Sequence, residues 1–353
     1  MKPAPFIIPI FLPQWGCPRQ CVYCLQTTIT GTGRDRLDLT ELTTSVQQGL
    51  SSRKRKQNQP VEIAFYGGNF TGLPPEKQQS LLDWGYGYIE RGLAAALRLS
   101  TRPDALSEDV LDHLKTAGVK TIELGFQALD DRALQRSLRG HGVAENLNAL
   151  GLVKKKGLTA GVQLMPGLPG DNPDRFLNAL NLLIEQPPDF VRLYPALVFK
   201  GTVLARWYRE GAYRPLGLEE AVTLCAQAVN LLESNGIPVW RLGLQDPGGR
   251  DFASHILAGP FHPAFGDLVR GRLFREKIAA AIGRLKIRKG ADLEIRAGDR
   301  EAGYLTANRG ENLKHLEAEL GLHKVRVERV PELKPGEWGF VLSAPERESK
   351  EAA

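Results

Sequence analysis

No run of residues in this 353-residue chain is both apolar and long enough to span a bilayer, and nothing in it resembles a secretory signal. The apolar opening, 5–13, is short and carries three prolines, so it reads as a buried strand that runs into a cysteine cluster. A cytoplasmic protein is the expectation. Cysteine is scarce: there are four, and three of them fall within eight residues, which excludes a disulfide framework. The fourth, Cys225, shares one helical face with Val222, Val229 and Leu232 and reads as a small buried hydrophobe. Acidic residues are thin at the N-terminal end. Residues 1–60 hold eight Lys/Arg against three Asp/Glu, which is most of the net charge of +6. Half of those basic residues are Arg53-Lys54-Arg55-Lys56, a run that suits a solvated loop or a phosphate-contacting patch.

What the chain does have is alternation. Apolar β-branched runs at Phe6–Leu12, Val61–Tyr66, Ala96–Ser100, Thr121–Phe126, Thr159–Leu164, Phe190–Tyr194 and Pro238–Leu242 are separated by helical patterns at 40–50, 75–93, 107–117, 130–136, 144–156, 173–185 and 218–235. Strand–helix alternation at this spacing predicts an α/β fold: a partial or complete (β/α) barrel whose site lies at the carboxyl ends of the strands. The expected barrel domain is 1–283, including a C-terminal helical extension. A small α+β module of βααβ order, 284–345, follows, with strands at Asp292–Arg296 and Lys324–Val330 and helices at Asp299–Leu305 and Glu311–Leu320. Glu346–Ala353 reads as a frayed end.

The segment Cys17-Pro18-Arg19-Gln20-Cys21-Val22-Tyr23-Cys24 is a Cys-x3-Cys-x2-Cys arrangement. Such spacing lets one loop wrap three corners of a cubane cluster and leaves a fourth iron open, whereas an electron-transfer site uses four cysteines. A structural zinc site would need a fourth ligand, and no His or Cys lies close in sequence. This motif resembles that of the radical S-adenosylmethionine (SAM) superfamily, and the later loops match in order. The resemblance implies a [4Fe–4S] cluster on Cys17, Cys21 and Cys24, with Tyr23 leaning towards bound SAM. In FYGGNFTGL it implies that the backbone at Gly67 and Gly68 receives the methionine amino group. Many members carry Glu at the third position, where this chain has Asn69, an acceptor without charge. The resemblance further assigns Ser100 and Arg102 to the SAM ribose and carboxylate, and Glu123 and Gln127 to a strand end facing SAM. Met165 and Pro166, in QLMPGLPGD, belong to the loop around adenine.

Within the superfamily, GGNFTGLP, STRPD, the segment Arg139–Gly142, QLMPGLPGD and VRLYPALVFKGT are similar to the Elongator catalytic subunit and its shorter bacterial relatives. Arg139 thereby joins the candidate cofactor-binding residues. Those subunits carry an acetyltransferase domain, for which this chain ends too soon, so their full reaction does not simply transfer. The shared chemistry implies a 5′-deoxyadenosyl radical made from SAM with an electron from a flavodoxin or ferredoxin. Tyr194 and Lys200, with Arg192, are the candidate catalytic groups near the sixth strand; His141 reads as a loop hydrogen-bonding residue or as part of the chemistry. The tail, with Ala307-Asn308-Arg309-Gly310 between its two expected helices, resembles a degenerate KH module, whose Gly-x-x-Gly loop clamps a nucleic-acid backbone. These features point to an RNA, and specifically a tRNA, substrate. Two alternatives stay open: an oxidase of a porphyrin or other small molecule, because the core also resembles anaerobic coproporphyrinogen oxidase, and a non-catalytic cluster- or haem-binding protein.

Overall fold

The computed structural model describes residues 5–12, 15–18, 20–25, 38–52, 55–56, 58–244, 252–285 and 288–343, apart from the side chains of 308 and 309. The frayed end expected at 346–353, and Arg53 and Lys54 of the basic run, lie outside the described residues. The chain divides into two compact units, one of 1–221 with 231–263 and the other of 222–230 with 264–353.

The first unit is a parallel sheet of β1 (Phe6–Phe11), β2 (Val61–Tyr66), β3 (Ala96–Thr101), β4 (Val119–Gln127), β5 (Thr159–Leu164), β6 (Phe190–Leu193) and β8 (Val239–Leu242), neighbours in that order. All six pairings are parallel, so the described strands form a half-barrel wound in one direction. Between them run α1 (Leu39–Leu50), α2 (Pro75–Glu90), α3 (Glu108–Thr116), α4 (Asp131–Arg136), α5 (Val143–Lys155), α6 (Pro173–Ala179) and α7 (Asn181–Glu185). The single helix expected at 173–185 is therefore two short ones that meet at Leu180. Polar caps start several of the helices. Asp38, Ser107, Asp130 and Asn172 each accept from a backbone N–H of the first turn, which would otherwise lack a partner.

Strand alternation explains the sheet's two faces. Ile63, Leu97, Leu99, Ile122, Leu124, Val162, Leu164, Val191 and Leu193 are fully buried on the helix-covered face. The other face carries Glu62, Arg98, Glu123 and Arg192, which bond to one another across the lumen. Two further strands, β7 (Val198–Phe199) and β9 (Ile256–Ala258), pair antiparallel beyond the rim, with α8 (Val203–Arg209) between them in the chain.

The second unit contains the middle of α9 (Leu218–Ser234), where Cys225 is fully buried as expected, and α10 (Phe265–Ile282). The expected barrel extension thus belongs elsewhere: Phe274, Ile278 and Ile282 of α10 share a core with Leu293, Ile295, Leu305 and Leu316. The remaining elements are β10 (Asp292–Ala297), α11 (Asp299–Leu320), β11 (Lys324–Arg329) and β12 (Trp338–Ser343), in the sheet order β11-β10-β12. The module is α+β, but its order is βαββ rather than βααβ. The two helices expected there are one. Gly310, at φ +73°, turns the chain without opening a loop, and Asn312 Nδ2 donates to Tyr304 O across the turn. With Ala307–Gly310 inside a helix, the Gly-x-x-Gly clamp does not exist, and the KH resemblance falls with it.

Candidate functional site

The loops after β1, β2 and β3 are locked together by glycine and by one amide. A Cβ on Gly16 would lie 2.1 Å from Asn69 O, one on Gly68 would lie 2.4 Å from Trp15 O, and one on Gly72 would lie 2.2 Å from Gly16 O. No other residue permits this approach, and Gly16 also sits at φ +72°. Asn69, 2% exposed, bridges the loops. Its Nδ2 donates to Gly16 O at 2.9 Å, while its Oδ1 accepts from Thr101 Oγ1 at 2.7 Å and from Arg102 N at 3.1 Å. A carboxylate could not donate to Gly16 O, so the amide explains why Asn stands here. Asn69, expected from the sequence among the cofactor-binding residues, pins the loops together.

Arg102 is held by Asp104, with Nε to Oδ1 at 2.9 Å and Nη2 to Oδ2 at 2.7 Å, and Nη2 also donates to Arg139 O at 2.6 Å. That grip holds the Asp104 carboxyl below its ordinary range; burial opposes the shift, and the Arg102 hydrogen bonds and charge prevail. Arg139, also buried, donates from Nη1 to Cys21 Sγ at 3.2 Å and from Nη2 to Gly125 O at 2.6 Å. Cys21 and Tyr23 are buried, Cys24 is half-buried, and Cys17 is at the exposed end of the loop. The loop is anchored from both sides: Val22 N donates to Ser137 O, and Leu204 N donates to Val22 O. Although Cys17 as a residue is exposed, the packing around its sulfur and then neighbouring Cys21 push the thiol up, against the pull of Arg102 and Arg139.

Polar atoms around this loop are left over. Tyr23 Oη, Arg102 Nη1, Arg139 Nε and both ring nitrogens of His141 are buried without a hydrogen-bond partner among the described residues. Burial, followed by the charge of Arg139, holds His141 down to about 4, so it is neutral at physiological pH. Three thiols beside two guanidinium groups with spare donors fit an anionic, thiolate-held group with an open position. Among the described residues no three His, Cys, Asp or Glu side chains are gathered as one metal ion requires. A cubane cluster, which takes each thiolate on a separate iron, has no need of such a gathering.

The remaining expected residues fall into three groups. Gly67 (φ +97°), Gly68 and Ser100 line the strand ends without being fully buried. Gln127, at a β-bulge, holds the left-handed backbone at φ +69° and accepts from Gln163 Nε2 at 3.1 Å; Met165 N donates to its carbonyl, and Pro166 O accepts from Ala196 N. A glutamine in that conformation is strained and marks a site rather than a plain strand end. Glu123 and Tyr194 belong deeper. Glu123 Oε1 accepts from Tyr66 Oη (2.7 Å), Arg98 Nη1 (2.8 Å) and Arg192 Nη2 (2.8 Å), and Arg192 Nη1 reaches Tyr194 Oη at 3.4 Å. Lys200 stands apart. Its side chain is exposed and only its backbone N–H is fixed, to His255 O.

Sequence reading missed Arg98, Tyr66, Glu62, Thr101 and Gln163. The available signal was parity: Glu62 and Tyr66, Arg98 and Ser100, and Arg192 and Tyr194 alternate with fully apolar positions.

With this geometry in hand, comparison with known proteins is informative. Residues 12–183 match the model of the radical SAM superfamily, and residues 188–275 match that of the Radical_SAM C-terminal domain. A tRNA uridine(34) acetyltransferase of Methanocaldococcus jannaschii is 34% identical over 199 residues, 49% of this chain and 36% of that protein. Elongator complex protein 3 of Mus musculus is 28% identical over 200 residues, 51% of this chain and 36% of that protein. The solved archaeal Elp3 of Methanocaldococcus infernus, with an N-terminal deletion, superposes with a TM-score of 0.60 at 22% identity, over 79% of this chain and 64% of that one. This chain therefore spans about a third of the length of the two curated relatives it resembles.

Proposed function

The chain belongs to the radical SAM superfamily, a family of enzymes that use a [4Fe–4S] cluster and SAM, and from that premise we propose that it modifies tRNA. The observation that carries the site is the buried set of unpartnered donors around Cys17, Cys21 and Cys24, backed by the Arg139–Cys21 contact. The substrate class is supported by relatives named as tRNA uridine(34) acetyltransferases, which match about half of this chain.

Bound together, the cluster and SAM supply one-electron cleavage of the sulfonium and a carbon radical that takes a hydrogen atom from substrate. The chain's own residues place and shield these groups. Cys17, Cys21 and Cys24 would hold the cluster iron. Gly67 and Gly68 bring bare backbone to the strand ends, and the spare Nη1 of Arg102 suits a carboxylate. Gln127 and Gln163 present an amide pair at the rim. Tyr194, its hydroxyl pushed up by burial, keeps its proton beneath them. Lys200, being exposed, is placed to meet a phosphate of the substrate rather than the reacting atoms. A flavodoxin or ferredoxin would deliver the electron in the cytoplasm, where tRNA is found. No helix of the described residues is long and apolar enough to cross a membrane.

The test is SAM cleavage by anaerobically reconstituted protein with dithionite, in the presence and absence of total tRNA. We expect tRNA to stimulate 5′-deoxyadenosine formation, Cys17→Ala to be silent, and nucleoside mass spectrometry of treated tRNA to show a new product. Cleavage indifferent to tRNA, with unaltered nucleosides, would overturn the substrate assignment while leaving the family chemistry standing.

A further inference from the structure

Arg139 is a buried cation with no carboxylate of its own. Asp104 gives both carboxylate oxygens to Arg102, and among the described residues Arg139 forms no ion pair. Its firm partners are a neutral carbonyl, Gly125 O, and the sulfur of Cys21. A buried guanidinium without a carboxylate bonded to it is costly, and beside the nearby charge of Asp104 the sulfur of the cysteine loop, hydrogen-bonded to it directly, helps to balance it. The position of Arg139 is over-determined as well. Its own carbonyl accepts from Arg102 Nη2 at 2.6 Å, Arg102 is clamped twice by Asp104, and Arg139 N donates to Leu134 O. Asp104, Arg102, Arg139 and Cys21 thus form one hydrogen-bonded chain that ends on a candidate iron ligand.

We propose that Arg139 is a positioning residue that tunes the cluster through Cys21, drawing charge from the ligand sulfur and making the cluster easier to reduce. This rests on the reading that the three cysteines hold a [4Fe–4S] cluster. Hydrogen bonds and positive charge at cluster sulfurs raise the reduction potential because they favour the more negative, reduced form. Lysine at 139 keeps the charge but lacks the planar fork that reaches Gly125 O and Cys21 Sγ together.

The test is a redox titration of reconstituted holoprotein, followed by electron paramagnetic resonance before any SAM is added, so that a contact with the SAM carboxylate plays no part. We expect Arg139→Gln to move the midpoint potential to more negative values and Arg139→Lys to recover part of the shift. Iron-replete variants with the wild-type potential would overturn the proposal. If Arg139→Gln retains no iron, Arg139→Lys decides by the same criterion. A wild-type protein that assembles no cluster would remove the premise instead, and iron content and visible absorbance identify that failure separately.

Discussion

The floor of the half-barrel and its mouth are both built on buried arginines, and they treat them in opposite ways. On the floor, Arg98 lies between Glu62 and Glu123, and Arg192 shares Glu123 with it and also donates to Tyr66 Oη. Burial works against the charge of Arg98, but Tyr66, Glu62 and Glu123 outweigh it and hold the guanidinium charged. Aromatic faces add to this: the Arg98 guanidinium is 5.4 Å from the Phe190 centroid and 5.6 Å from that of Trp240, and those two rings stack at 3.8 Å. At the mouth, Arg102 and Arg139 are just as buried, yet among the described residues each keeps an N–H without a partner, and the Tyr23 hydroxyl and the His141 ring beside them are left open too; on the floor Arg192 Nε is open. The floor gives its guanidinium groups carboxylate partners, which has the character of scaffold, whereas open polar atoms gather around the cysteine loop as if arranged around something else.

Breaking the floor should give the largest effect. Arg98→Leu leaves Glu62 without its cation and Glu123 with Arg192 alone, at a side chain that is 1% exposed, and should cost about 3–5 kcal/mol. Urea unfolding would measure it, and a loss below about 1 kcal/mol would show that the floor does not depend on these ion pairs. At the mouth, acidity is the next probe. His141 titrates at about 4 in the folded protein against an ordinary 6.5, so between those values the unfolded chain binds the extra proton. Stability is full above about pH 6.5 and falls as pH drops towards 4, by about 2 kcal/mol once solvent screening is discounted. His141→Leu should remove that dependence. Asp171, pushed up to about 6 by burial, acts in the opposite direction, so the difference between the wild-type and His141→Leu profiles is the quantity to compare. The smallest effect belongs to the joint between the loops. Asn69→Asp removes the donor to Gly16 O and should cost about 1–3 kcal/mol by urea unfolding, together with faster iron loss from reconstituted protein. Retained stability and iron would mean that the glycine contacts alone hold the loops.

The same contrast explains what was legible in the sequence. The helix-facing halves of the strands are continuous Ile, Leu, Val and Phe bounded by Gly and Pro, so β2 and β5 were placed to the residue and the other sheet strands to within two. The thiol loop was legible because its chemistry lies in local spacing. The floor was not, because a charged residue alternating with apolar ones reads as a solvated strand face. Only closure of the sheet brings Glu62, Arg98, Glu123 and Arg192 together across 131 positions of chain. Asn69 was read for its acceptor, while its role depends on a donor to a loop more than fifty residues away. In the second unit Gly310 suggested a helix boundary, and it is instead a left-handed turn that the surrounding core spans.

The interlocked glycines have a thermodynamic consequence. Gly16, Gly68 and Gly72, with Asn69 between them, make two loops distant in the chain into a single rigid surface. The conformational freedom of that surface is therefore surrendered when the protein folds, not when a ligand arrives, so binding there carries little entropic penalty from the polypeptide. A substitution that unlocked the loops could leave each individual contact to a ligand intact and still weaken binding, with the loss appearing in the entropy rather than the enthalpy.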